Sequence, residues 1–341
     1  MERSLGYFLS AGQANRGAYY PMHSSSIRPG KESDFSSEPI GVTVVHSARD
    51  LIGEYGIFQK SAKQPLREPR YQAIAVGHDT DRIELYDPSD RWEKGSEILF
   101  GQVYQVLDIS QDRHWMKIKV GGFDTVGWLE IHHHTPCSGS EFEVLAHKPH
   151  PMLASRTGLL ESLSPGDRQV PIFLGASLPR FDRHGEIEVG GERFKLVEGE
   201  PVPTWLPPRV GNLLAILRET LGAPYEWGGK GGAYDCSGLL SVAFSFFGLK
   251  LPHSARAQST QGEGLQSVGD LQTGDVIAYG DEANPGSVKH IGIALVDGAE
   301  RKLLHASQRV RVNPLDGDGQ YHRPLNRAVR ALRRLIDFTG A

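Results

Sequence analysis

The chain has 341 residues, with 37 Lys and Arg against 41 Asp and Glu for a formal net charge of −4, a balance without the basic footprint of a nucleic-acid binder. Hydrophobic residues make up 39% and charged residues 23%, the composition of a folded protein rather than a disordered one, and the length predicts two or three domains. No run approaches the roughly 18 apolar residues of a membrane helix, and the N-terminal stretch lacks the apolar centre of an export signal, so the expectation is a cytoplasmic protein with no membrane partner.

Residues 1–70 are rich in Ser, Gly and Pro and are expected to form a leader or wrapping segment. From 71 to 136 brief β-rich runs such as Ile83-Glu-Leu-Tyr86 and Trp115-Met-Lys-Ile118 alternate with turn residues, which predicts a small β-barrel. A second set of short runs, with turns at Pro165-Gly166 and Gly190-Gly191, predicts a degenerate second barrel over 140–205. Pro201, Pro203, Pro207 and Pro208 then mark a boundary, leaving 209–341 as the last domain. There Val210, Leu213, Leu214, Leu217 and Leu221 fall at helical spacing, and Gly222-Ala-Pro224 stops the helix. A second helix is expected from Cys236 to Phe247. Strand-like runs follow at 275–279, 290–296, 302–307 and 310–312. Helices followed by a sheet indicate an α+β domain.

Cys236 carries the chemistry in this reading. A thiol becomes a nucleophile when its pKa is depressed, and the first turn of a helix favours thiolate through its unpaired N–H groups and dipole. The preceding Gly-rich run, Gly228 to Gly232, allows close approach, and Asp235 is the candidate N-cap. A cysteine nucleophile also needs a base, and a third polar group to orient that base. His290 and His305 are candidates: if Val296 pairs with Arg301 across the Asp297–Glu300 turn, Gly292 opposes His305, and His290 lies diagonally across from His305 on the same face. A register shift by one would separate the two histidines. Taken singly, a cysteine at a helix start or a histidine in a strand is ordinarily a packed structural residue.

Taken together, the segments Pro224-Tyr-Glu-Trp-Gly-Gly, Tyr234-Asp-Cys-Ser-Gly-Leu239, Leu251-Pro-His-Ser254 with Gln258, Leu271-Gln-Thr-Gly-Asp275, His290-Ile-Gly-Ile and Leu304-His-Ala306 resemble the NlpC-type cell-wall cysteine peptidases. The resemblance covers roughly 209–315. It implies a papain-like domain in which Cys236 attacks, His290 is the base, His305 orients it and Tyr225 supports the oxyanion. It implies further that Asp235, Ser237 and Ser254 contact substrate. The N-terminal runs Asp87-Pro-Ser-Asp-Arg-Trp-Glu93, Ile98-Leu-Phe-Gly101, Trp115-Met-Lys-Ile and Gly127-Trp128 resemble a bacterial SH3-like module, followed by a second, degenerate copy. That likeness implies that Glu93 pairs with the free amine of an L-Ala-led substrate. Two departures stand out: Thr125, with Phe123 nearby, replaces a family tyrosine, and Leu251-Pro-His253 replaces the common Leu-Pro-Arg.

Two further features carry less. Three consecutive histidines at 132–134 beside Cys137 cannot all converge from one strand end, so no metal site is expected there. Gly229-Lys-Gly-Gly lacks the Lys-Ser/Thr ending of a phosphate loop. With only two cysteines, both are expected to be reduced. The combined expectation is an α+β protein: two small SH3-like β-barrels ahead of a papain-like cysteine peptidase domain, without cofactor. Its partners are peptidoglycan-derived peptides, cut at the bond between γ-D-glutamate and a diamino acid. The alternatives are an amidase cutting before L-Ala, and an inert wall-peptide binder.

Overall fold

The computed structural model describes residues 71–338, apart from 76–82, 87–93, 112, 124, 131–133, 165–167, 285 and 322–326. The expected leader and Glu93 therefore lie outside the described residues. The first unit is a seven-stranded antiparallel sheet built from β1 (Tyr71–Ala75), β2 (Ile83–Tyr86), β3 (Lys94–Ile98), β4 (Val103–Ile109), β5 (Trp115–Val120), β6 (Val126–Glu130) and β7 (His134–Pro136), in the order β3-β2-β6-β5-β4-β1-β7. Alternation explains its core: in β5, Met116, Ile118 and Val120 point inward to meet Tyr104, Val106 and Leu129, while Lys117 and Lys119 face outward. Gly127 is required where β6 crosses β2, because a Cβ there would fall 2.5 Å from Leu85 Cγ and 2.6 Å from the Tyr86 carbonyl oxygen.

The second unit departs from the all-β expectation. It opens with a helix, Gly139–His147, capped by Ser138, whose hydroxyl accepts from the Glu141 N–H at 3.2 Å. Phe142, Leu145 and Ala146 sit at i, i+3 and i+4, so one helical face is buried, and it packs on Leu160, Val170, Ile172 and Phe194. Those partners lie on β9 (Thr157–Ser162), β10 (Gln169–Phe173) and β12 (Glu192–Glu198), and the unit also holds β8 (Met152–Leu153), β11 (Glu186–Val189) and β13 (Pro201–Val202). They form a four-stranded sheet β10-β9-β12-β11 and a separate β13-β8 pair.

In the last unit the helices Val210–Thr220, Cys236–Ser245 and Ala255–Gln258 precede all strands of a six-stranded sheet. Its strands are β14 (Glu263–Gly264), β15 (Val276–Asp281), β16 (His290–Asp297), β17 (Glu300–Ser307), β18 (Arg309–Pro314) and β19 (Arg327–Arg334), ordered β14-β19-β15-β16-β17-β18. β19, which carries Arg327, Arg330, Arg333 and Arg334, is an inner strand of this sheet. All ten residues of helix Cys236–Ser245 are buried, and the helix packs on β16 and β17 through a core that includes Leu239, Leu240, Phe244, Ile293, Leu304 and Ala306. Both cysteines are free thiols. Among the described residues no helix is long and apolar enough to cross a membrane, and no three His, Cys, Asp or Glu side chains group as metal ligands would.

Candidate active site

Cys236 is the first residue of its helix and 7% exposed. Asp235 caps the helix as the sequence suggests, its Oδ1 accepting from the Gly238 N–H at 2.6 Å and from the Ser237 hydroxyl at 2.9 Å. Its Oδ2 accepts from the Gly228 N–H at 2.9 Å, and His253 Nε2 lies 3.0 and 2.9 Å from the two oxygens. Burial acts to raise the Asp235 pKa, but His253 and these donors outweigh it and hold the carboxyl at about 2, so it is ionised at neutral pH. Burial pushes the His253 pKa below its ordinary value against the pull of Asp235. The helix that opens with Cys236 therefore begins beside a fixed negative charge.

The two histidines meet on one face. Val296 pairs with Arg301 and Ile293 with Leu304, the register expected from the Asp297–Glu300 turn. His290 Nε2 lies 2.7 Å from His305 Nδ1, and His305 Nε2 lies 2.9 Å from Asn313 Oδ1 on β18. A Cβ on Gly292 would fall 3.0 Å from His305 Cβ, which is why a glycine stands there. Tyr321 closes the other side, its ring centroid 4.8 Å from His305 and 5.8 Å from His290, with Tyr279 meeting it edge to face at 5.0 Å.

Tyr225 runs beside Tyr234, two residues before Cys236: the Tyr234 N–H donates to the Pro224 carbonyl at 3.0 Å and the Tyr225 N–H to the Gln308 carbonyl at 2.9 Å. Ser254 caps the short helix Ala255–Gln258, accepting from the Ala257 N–H at 3.4 Å, and is exposed. Ser237 is buried, with its hydroxyl committed to Asp235.

Residues 222–330 match the NlpC/P60 family. The chain carries an NlpC/P60 domain. Over 116 residues it is 39% identical to a probable endopeptidase of Mycobacterium tuberculosis, covering 32% of this chain and 28% of that protein. Over 226 residues it is 25% identical to a gamma-D-glutamyl-L-lysine dipeptidyl-peptidase of Bacillus subtilis, covering 62% of this chain and 71% of that one. The chain thus spans under a third of the length of the first of these relatives. A crystal structure of an NlpC/P60 family protein from Bacillus cereus superposes with a TM-score of 0.61 at 20% identity, covering 78% of this chain and all of that one, so the fold likeness extends well beyond the domain itself.

Sequence reasoning missed the way the first sheet enters the NlpC/P60 site. Glu97 of β3 is buried, and its Oε2 accepts from the backbone N–H groups of Lys230 at 2.7 Å and Gly231 at 2.8 Å, inside the Gly-rich run. Lys94 Nζ bridges Glu97 and Glu226, 2.5 Å from each. Ser96 Oγ reaches His253 Nδ1 at 2.5 Å. Phe123, noted beside the departure at Thr125, is buried with the Lys230 and Lys250 ammonium groups 5.2 and 5.0 Å from its centroid. Asn313 and Tyr321 were missed too. The one legible signal for Asn313 was its place in the run after His305, at the spacing of a neighbouring strand.

Proposed function

We propose that the protein is a cysteine endopeptidase that hydrolyses the γ-D-glutamyl to diamino acid bond of murein peptides with a free N-terminal L-Ala, in cytoplasmic wall recycling. The observation that carries this reading is the conjunction of Cys236 at a helix N-terminus with the hydrogen-bonded pair His290 and His305 on the strands packed against that helix. The name of the Bacillus subtilis relative supports the choice of bond.

In this reading His290 takes the proton of Cys236, and the thiolate adds to the γ-glutamyl carbonyl. First-turn N–H groups and Tyr225 receive the developing oxyanion. Collapse breaks the C–N bond as His290 returns the proton to the leaving amine, and water then hydrolyses the thioester. Asp235, ionised next to the nucleophile, supplies negative charge for the substrate's ammonium, with Ser237, Ser254 and Glu93 completing substrate contact. The N-terminal strands act as SH3-like modules that wall off one end of the cleft.

The test is mass spectrometry of L-Ala-γ-D-Glu-diaminopimelate and its N-acetylated form, each incubated with the wild type and with Cys236→Ala. Release of L-Ala-D-Glu from the free tripeptide alone, and only by the wild type, is the expected result. Equal cleavage of both forms rejects the amine requirement. Cleavage of neither turns attention to amidase substrates and to simple binding.

A further inference from the structure

The hydrogen-bond chain behind His290 does not end at His305. An Asn carbonyl oxygen only accepts, so Asn313 Oδ1, 2.9 Å from His305 Nε2, places the single proton of a neutral His305 on Nε2. His305 Nδ1 is then an acceptor and takes a hydrogen bond from His290 Nε2–H across 2.7 Å. The proton of a neutral His290 therefore sits on Nε2, and its lone pair sits on Nδ1. Direction is set at Asn313 and transmitted through two rings.

We propose that Asn313 is a fourth member of this relay: a positioning residue that fixes the tautomer of His305 and thereby makes Nδ1 of His290 the nitrogen that accepts the Cys236 proton. The proposal rests on the reading of Cys236 and His290 as nucleophile and base. In the transfer the Sγ–H bond breaks and an Nδ1–H bond forms, leaving thiolate and imidazolium, while the Nε2–H of His290 stays bonded to His305. With the carbonyl of Asn313 gone, His305 can adopt the other tautomer. It then donates from Nδ1 to His290 Nε2 and drives the His290 proton onto Nδ1, where the ring cannot act as the base. Tyr321 and Tyr279 pack on the rings, and Arg311 is the residue opposite His305 in the β17–β18 register.

Alkylation of Cys236 by iodoacetamide tests this without a murein substrate, so its outcome is independent of whether the proposed substrate is correct. Rates would be followed from pH 4 to 9 by peptide mass spectrometry on the full chain of the wild type, Asn313→Leu and Asn313→Asp. Cys137 is the internal control: burial and the charge of Glu141 push its thiol up to about 12. Asp at 313 can only accept and so keeps the direction of the chain. The expected result is that Asn313→Leu slows alkylation near pH 6 about tenfold, the equivalent of one pKa unit, while Asn313→Asp stays within about twofold of the wild type. A wild-type pH profile for a folded Asn313→Leu overturns the proposal. So does a folded Asn313→Asp that reacts about tenfold more slowly than the wild type, an outcome that stands even if the Leu variant fails to fold.

Discussion

Ser96 Oγ and His253 Nδ1 lie 2.5 Å apart, and through His253 the first sheet is tied to Asp235, the cap of the helix that begins at Cys236. Serine, histidine and aspartate in this order resemble a hydrolase triad, but Ser96 is 2% exposed, closed off from solvent. The arrangement is a strut. It joins residues 157 positions apart and makes β3 part of the site's foundation.

Removing the strut has a calculable cost. His253→Leu leaves the ionised, buried Asp235 short of one donor, which costs about 1–3 kcal/mol. Ser96→Ala removes one neutral partner from an imidazole that keeps its carboxylate, a smaller loss of about 1 kcal/mol. Urea unfolding of the two variants should therefore rank His253→Leu below Ser96→Ala. The reverse order would show that Asp235 does not depend on His253.

Gly292→Ala tests the close approach of the two histidine strands. The added Cβ would fall 2.7 Å from Leu303 Cδ1, 2.9 Å from the Leu304 carbonyl oxygen and 3.0 Å from His305 Cβ. Strands packed this tightly resist such overpacking at about 1–3 kcal/mol. The variant should lose that much stability in urea, and Cys236 should alkylate more slowly because the His290–His305 contact opens. Unchanged reactivity would uncouple the register from the thiol.

The contrast between what could and could not be read follows the range of the interactions. The His290–His305 pair was legible because a short turn fixes register and a two-residue period fixes the face. The cap at Asp235 is equally local. The helix Gly139–His147 was passed over because its apolar residues are few and its burial depends on β9, β10 and β12, whose positions the local pattern does not encode. Glu97, Lys94 and Ser96 act on residues more than 130 positions away, so nothing in their own neighbourhood announces a role. His253 was visible only as an oddity in its motif, and its meaning required Ser96 to be in place.

His150 supplies a pH-dependent prediction. It is buried, with Nδ1 donating to the Lys148 carbonyl at 2.9 Å and Nε2 accepting from the Ser177 hydroxyl at 3.0 Å. Burial, aided by the charge of Lys250 and opposed by the Lys148 bond, lowers its pKa from 6.5 to about 4. The unfolded chain thus binds a proton more readily, so the contribution is complete above about pH 6.5 and is lost as pH falls towards 4. At pH 5 the loss is about 2 kcal/mol. Urea unfolding at pH 7.5 and pH 5 should show the wild type losing about that much more stability than His150→Gln. Parallel losses in the two proteins would assign the acid sensitivity to other groups.

Lys230 presents the opposite balance. The residue is 2% exposed, and its ammonium has no hydrogen-bond partner among the described residues and rests over Phe123 at 5.2 Å. Burial, only partly offset by Asp235 and Glu97 and reinforced by Lys250, lowers its pKa from 10.5 to about 8. At pH 7 the charge is retained at a cost in stability, and that cost is relieved as pH rises from 8 towards 10.5, where the folded protein binds fewer protons than the unfolded chain. The contact with Phe123 recovers about 1–2 kcal/mol of it. Lys230→Met keeps the aliphatic volume and removes the buried charge, so it should stabilise the protein at pH 7 by about 1–3 kcal/mol. The gain should shrink between pH 8 and pH 10 as the wild-type lysine becomes neutral. A destabilised Met variant at pH 7 would mean that the Phe123 contact and the fields of Asp235 and Glu97 outweigh the desolvation of the ammonium, making Lys230 a net clamp between the first sheet and the Gly-rich run.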